Sequence, residues 1–190
     1  MTSRDQLTEA MADLLWERGY AATSPRDVMA RAGVGQGSMY HHFAGKHELA
    51  VAALSSVVDQ LTGESALLET DGSPLERMKT YLSIPRPGVR GCRVGRMTQD
   101  PQVVADAELI TIVARAFDLV LQRWEHTIAA AVDAGELPAD IVPFDLARTL
   151  AAVLQGGYVL ARAQGEQSPM DAAVRGAITL LDAAHTSTTR

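Results

Sequence analysis

The chain is poor in the features that mark secreted, membrane-spanning or catalytic proteins. Cys92 is the single cysteine among 190 residues, which excludes an intrachain disulfide and fits a reducing compartment. No apolar run approaches the roughly 18 residues of a membrane span. The longest candidate, residues 149–161, is broken by Gln155 and by Gly156-Gly157. At the amino terminus Arg4, Asp5, Glu9 and Asp13 interrupt any apolar region of the signal-peptide kind, so a soluble cytoplasmic protein is expected. No sustained period-two alternation occurs, so no sheet is expected. Nor is there a phosphate loop, a nucleophile with a base, or a metal set. His41 and His42 are adjacent and diverge on a helix, and no Cys or acidic partner stands at ligand spacing. Neither an enzyme nor a cofactor is expected. Arg90 and Arg93 flank Cys92 and can favour a thiolate, but an incidental cysteine is the commoner case.

Positive charge is also scarce. The formal net charge is −6, which argues against nucleic-acid binding, because phosphate contact rewards a basic surface. Asp5, Glu9, Asp13 and Glu17 stand four apart, however, and form one drifting stripe that a helix can turn away from DNA. Arg26 and Lys46 remain near the stretch that matters most.

That stretch is residues 32–49, AGVGQGSMYHHFAGKHEL. Upstream, Ser24-Pro25 starts a helix, because serine caps free amides and proline suits the first helical position. Gly33 stops it in a left-handed cap, and Gly33-Val34-Gly35 makes a tight turn. A second short helix follows from Gln36 to about His42. Met39 and Phe43, four apart, face inward, which leaves Gln36, Ser38, Tyr40 and His41 outward. Two such helices are how a protein presents a few side chains to the major groove.

The pattern resembles the DNA-binding domain of the TetR family of transcriptional regulators. The resemblance rests on Gly19-Tyr20, Thr23-Ser24, Ala32-Gly33-Val34, the run from Gly37-Ser38-Met39 through Tyr40-His41-His42-Phe43, and Lys46 and Leu49, and covers roughly residues 7–50. Gly35 stands where the family usually has Ser, Gln36 where it often has Lys or another polar residue, and His47 where it usually has an acid. The resemblance implies an all-α protein of about nine helices. Residues 1–48 would form the helix-turn-helix DNA-binding domain, and residues 49–190 a ligand-binding and dimerisation domain. It implies a one-component regulator, a repressor that binds a near-palindromic operator in double-stranded DNA as a homodimer and is released by a small molecule. The rival reading is a helical interaction module whose helix-turn-helix no longer binds DNA.

Side-chain chemistry assigns the reading roles. A carboxamide at Gln36 can pair both hydrogen-bonding atoms of adenine, and Gly37 lets the backbone approach closely. Ser38, Tyr40 and His42 can reach phosphates, and His41 a base edge or thymine methyl. Lys46 can meet phosphate together with helix-terminal amides, and Thr23, Ser24 and Arg26 are weaker phosphate candidates.

Helices are expected at residues 4–18, from Lys46 to about Leu61, from Pro74 to about Ser83, at 105–134, at 143–164, and from Ser168 to about Ala184. Residues 92–98 are only loosely helical, and the tail from His185 is expected to be loose. Leu146, Leu150, Val153, Leu154, Gly157 and Ala161, with Ala173, Val174, Ala177, Ile178 and Leu181, form the expected dimer surface on the last two helices. Met78, Tyr81, Met97, Ile110, Phe117, Trp124, Leu154, Gln155 and Tyr158 are candidate lining for an effector pocket, with ordinary core packing at least as good an account of each.

Overall fold

The computed structural model describes residues 1–188, with side chains through His185. Among these residues are nine α-helices and no strand: α1 (Ser3–Arg18), α2 (Pro25–Ala32), α3 (Gln36–His42), α4 (Lys46–Ser65), α5 (Pro74–Leu82), α6 (Pro101–Val104), α7 (Ala107–Asp133), α8 (Pro143–Gln164) and α9 (Ser168–Thr188). None of them is long and apolar enough to cross a membrane.

The chain packs as two compact units, Met1–Gln60 with Cys92–Ala116, and Leu61–Gly91 with Phe117–Arg190. The boundary expected after residue 48 falls inside α4, which runs on unbroken. Packing of the first unit extends to Gln60 and takes in the segment that leads into α7.

In the first unit α1 opens with a capping box. The Thr2 amide donates to the Asp5 carboxylate at 2.8 Å, and the Asp5 amide to the Thr2 hydroxyl at 3.2 Å. Its apolar stripe, Leu7, Met11, Leu14 and Leu15, is buried, as are Val28 of α2 and Leu49 and Ala53 of α4. Burial of each large apolar side chain stabilises by about 1.5–3 kcal/mol. Residues 92–98, expected to be loosely helical, are irregular at 92–94 and then form a 3-10 helix at Gly95–Gln99. The four-residue helix α6 then begins where the Asp100 carboxylate accepts the amides of Gln102 and Val103 at 3.0 and 3.3 Å.

In the second unit α5, α7, α8 and α9 share a core that includes Met78, Tyr81, Trp124, Ile128, Leu150, Leu154 and Leu181, with the Tyr81 ring set edge-on to Trp124 at 5.4 Å. Two expectations fail here. Leu150, Leu154, Gly157, Ala161, Ala177 and Leu181, expected at a dimer surface, are buried within one chain, and Leu146, Val153, Val174 and Ile178 pack against the same core. The α8–α9 contact is tight enough that a Cβ on Gly157 would lie 2.8 Å from the Met170 sulfur and 3.0 Å from the Ala173 Cβ. Apolar periodicity marks a buried stripe but not which chain buries it. The tail from His185, expected to be loose, is instead part of α9 as far as Thr188; Thr189 and Arg190 lie outside the described residues.

Candidate nucleic-acid interface

Local chemistry sets α2. The Ser24 hydroxyl accepts the Asp27 amide at 3.3 Å, and the Asp27 carboxylate accepts the Ser24 amide at 2.9 Å and its hydroxyl at 2.6 Å. These Ser24 hydrogen bonds hold the Asp27 carboxyl below the usual carboxylate range, and Arg18, 3.0 Å away, adds to the effect. Gly33 ends α2 at φ 65°, in the left-handed region, and its amide returns to the Met29 carbonyl. The Val34 amide reaches the same carbonyl at 3.1 Å, so both bonds close the turn before α3.

α3 has seven residues and a clear inside and outside. Met39 and Phe43 are 0% and 1% exposed, whereas Tyr40 is 52% exposed. Gln36, Gly37 and His41 are exposed with it, and Ser38 and His42 are half-buried at the edges. The His41 and His42 rings lie edge to face at 4.9 Å. Ser24 and Arg26 of the preceding segment are exposed as well. Arg31 is occupied by Glu17 at 2.8 Å, as Arg18 is by Asp27, so part of the acidic stripe of α1 is neutralised by α2.

Two expected phosphate contacts look different at atomic detail. Thr23 is 3% exposed, and its hydroxyl donates to the Gly19 carbonyl at 2.7 Å. It braces the α1–α2 turn, which takes its hydroxyl out of reach of a phosphate in this arrangement. Lys46 opens α4 with its ammonium 3.9 Å from the centre of the Tyr20 ring, and burial lowers its pKa against the opposing pull of Asp100. The same burial, with Asp106 and Asp100 nearby, raises the Tyr20 phenol. The Ala44 amide before α4 donates to the Glu48 carboxylate at 2.6 Å.

Asp100 is a residue that sequence reasoning missed. It is 8% exposed, and while one oxygen caps α6 the other accepts the Ala21 amide at 2.9 Å. Gly19 makes room for it: a Cβ there would lie 2.7 Å from that oxygen, and φ of 86° already favours glycine. The sequence carries a cap-and-proline signal at Asp100-Pro101, but nothing local points to Ala21. His47, one of the departures from the family pattern, lies 3.0 Å from Asp106, whose second oxygen caps α7 through the Glu108 and Leu109 amides.

The candidate effector residues divide. Met78, Tyr81, Trp124 and Leu154 are buried in the second unit, where Phe117, Gln155 and Tyr158 are half-buried. Met97 and Ile110 belong to the first unit, one buried and one half-buried.

Two family models match this chain. One, described as bacterial regulatory proteins, tetR family, covers residues 7–53; the other, tetracyclin repressor-like, C-terminal domain, covers residues 73–177. Among curated proteins, the HTH-type transcriptional repressor DhaR of Mycobacterium sp. (strain GP1) is 26% identical over 172 residues, 88% of this chain and 86% of the relative. The HTH-type transcriptional repressor KstR2 of Mycolicibacterium smegmatis is 38% identical over 76 residues, 40% of this chain and 37% of the relative. Among solved structures, a TetR transcriptional regulator from Chloroflexus aurantiacus superposes with a TM-score of 0.83 at 23% identity, covering 95% of this chain and 94% of that one. The regulatory protein TetR from Rhodobacter sphaeroides gives 0.78 at 23% identity, covering 93% and 97%. With its second match spanning more than half its length, the chain belongs to the TetR family and is a DNA-binding transcriptional regulator.

Proposed function

We propose that this regulator is a repressor that binds a near-palindromic operator as a two-fold dimer, with α3 of each protomer in the major groove, and that a small molecule releases it. The observation that carries the reading is the division of α3: Met39 and Phe43 anchor it from inside, while Gln36, Gly37, Tyr40 and His41 stay exposed. In this reading Gln36 pairs with adenine and His41 meets a neighbouring base edge. Tyr40, Ser38, His42, Ser24 and Arg26 contact phosphate, and Lys46 approaches phosphate from its seat on Tyr20. Names of relatives such as DhaR and KstR2 support repression. A transcription factor of this kind works in the cytoplasm.

The dimer surface is taken to be the apolar residues that α8 and α9 leave uncovered. Val159, Leu160 and Leu180 are 59%, 52% and 68% exposed. Gly156 and Gly176 stand four residues before Leu160 and Leu180, and a Cβ on either would meet nothing within 4 Å, so two helix backbones can approach closely there. The effector is an apolar molecule, taken up among Trp124, Tyr81, Leu154 and Met78 with Gln155 and Tyr158 as polar partners. Phe117 extends that set; Met97 and Ile110, the remaining sequence candidates, belong to the first unit and are not assigned to it. It acts by binding more tightly to a conformer whose two α3 helices no longer match the groove spacing.

A salt-dependent shift assay on DNA from upstream of the protein's own gene tests the reading. The expected result is a discrete complex whose binding constant, on a logarithmic scale, falls linearly with the logarithm of salt concentration. A folded protein that leaves that DNA unshifted at low ionic strength, and selects no other duplex from a random pool, would support the interaction-module alternative.

A further inference from the structure

The glycines of the reading motif fall into two kinds. Gly19 and Gly33 have φ of 86° and 65°, and a Cβ on Gly19 would strike Asp100, so backbone conformation or packing calls for them. Gly35 and Gly37 are different. Gly35 has φ of −75°, Gly37 is not among the positive-φ glycines, and a Cβ on either would meet nothing within 4 Å. A Cβ therefore fits the protein at both places. Each is nevertheless a glycine at some cost to the helix. Gly35 leaves α3 with no side-chain cap, and Gly37 puts the residue least suited to a helix, after proline, into its first turn. Both are exposed, and both flank Gln36.

Resting on the DNA-binding reading of α3, we infer that Gly35 and Gly37 set how deeply the reading helix enters the groove. The bare backbone on either side of Gln36 lies in van der Waals contact with DNA, and only at that depth does the Gln36 carboxamide reach its base. A methyl group at either position would hold the helix off the duplex and Gln36 off the base. The space is kept open for DNA and not for the protein. Filling it at Gly37, inside the helix, should therefore hold or raise stability while DNA affinity falls. At the N-cap Gly35, where alanine is a poorer cap than glycine, affinity alone is the readout.

The test uses the full-length protein with a duplex that the wild type selects from a random pool. Variants are Gly35→Ala, Gly37→Ala, Gln36→Ala, the Gly37→Ala/Gln36→Ala pair, and Gly63→Ala. Gly63, on α4, serves as a control because a Cβ there also meets nothing within 4 Å. We expect Gly37→Ala to hold or raise Tm by about 1–4 °C while weakening binding at least tenfold, with Gly35→Ala moving affinity the same way. Gly63→Ala should change Tm in the same direction and leave DNA affinity within about twofold. In the Gln36→Ala background Gly37→Ala should cost much less than in the wild type, because the contact it spoils is already gone. Wild-type affinity in both alanine variants, a fully additive pair, or a lowered Tm in Gly37→Ala would overturn the inference. A wild type that selects no duplex overturns it together with the DNA-binding reading, which is a separate and visible outcome.

Discussion

The Asp100 carboxylate accepts the Ala21 backbone amide at 2.9 Å, joining the turn between α1 and α2 to the start of α6 across 79 positions of sequence. The bond is part-buried and the acceptor is charged, so it is stronger than an ordinary amide–carbonyl pair. It fixes the turn on which Thr23 and the cap of α2 depend, and so the frame that presents α3.

Removing that carboxylate should cost both stability and binding. Asp100→Ala leaves the Ala21 amide without its acceptor and α6 without its cap, a loss of about 1–3 kcal/mol. Thermal unfolding should show a Tm lower by several degrees, and DNA affinity at fixed salt should fall although no DNA-facing residue has changed. A variant as stable and as tight as the wild type would show that the link is incidental.

Substitutions on α3 should separate base reading from anchoring. Gln36→Ala should relax choice at a single base pair, by about 1–3 kcal/mol of lost discrimination, whereas Tyr40→Ala should weaken all duplexes alike. Affinities across a panel of operator variants decide. An unchanged base preference in Gln36→Ala would remove that residue from the reading set.

The exposed apolar face of α8 and α9 is addressed by Leu160→Asp and Leu180→Asp. Both side chains are more than half exposed, so a charge there should leave the protomer folded. Mass measurement in solution should show a monomer in place of a dimer, with operator affinity lost. A persistent dimer would place the interface elsewhere.

Acid should act on the start of α2. The Asp27 pKa is lowered in the folded state, chiefly by its Ser24 hydrogen bonds, from an ordinary value of 3.8. A carboxylate depressed in this way contributes its stabilisation in full above the ordinary value and loses it as pH falls through the lower folded one. Asp27→Asn should therefore be less stable than the wild type at neutral pH, and the difference should shrink as pH falls below about 4. Chemical denaturation at a series of pH values measures it, and a gap that stays constant into acid would assign the loss to something other than the charge.

Much of the fold is readable because its signals are local. Ser24-Pro25 and Gly33 bracket α2, and Pro143 and Gly165 bracket α8, since a cap, a proline and a left-handed glycine act within a turn or two of where they stand. The inward pair Met39 and Phe43 follows from helical spacing alone, and so does the outward set that makes the candidate site. What the sequence hides is non-local. The Asp100–Ala21 bond joins residues with no shared pattern, and the seat of Lys46 on Tyr20 depends on how α4 packs. The residues of α8 and α9 expected at a dimer surface are apolar and periodic, and those are the properties that bury or half-bury them inside their own chain. Val159, Leu160 and Leu180, each four residues or fewer from Gly156 or Gly176, are the apolar side chains there that stay more than half exposed.

The most direct measurement is a footprint of the protein on a duplex it has selected itself, read base by base on both strands. Two α3 helices entering successive major grooves predict two protected patches about 34 Å apart and related by the symmetry of the site, both weakened together in Leu180→Asp. A single patch, protection confined to the minor groove, or a duplex left open to cleavage at low ionic strength would contradict the assignment of α3 as the reading helix.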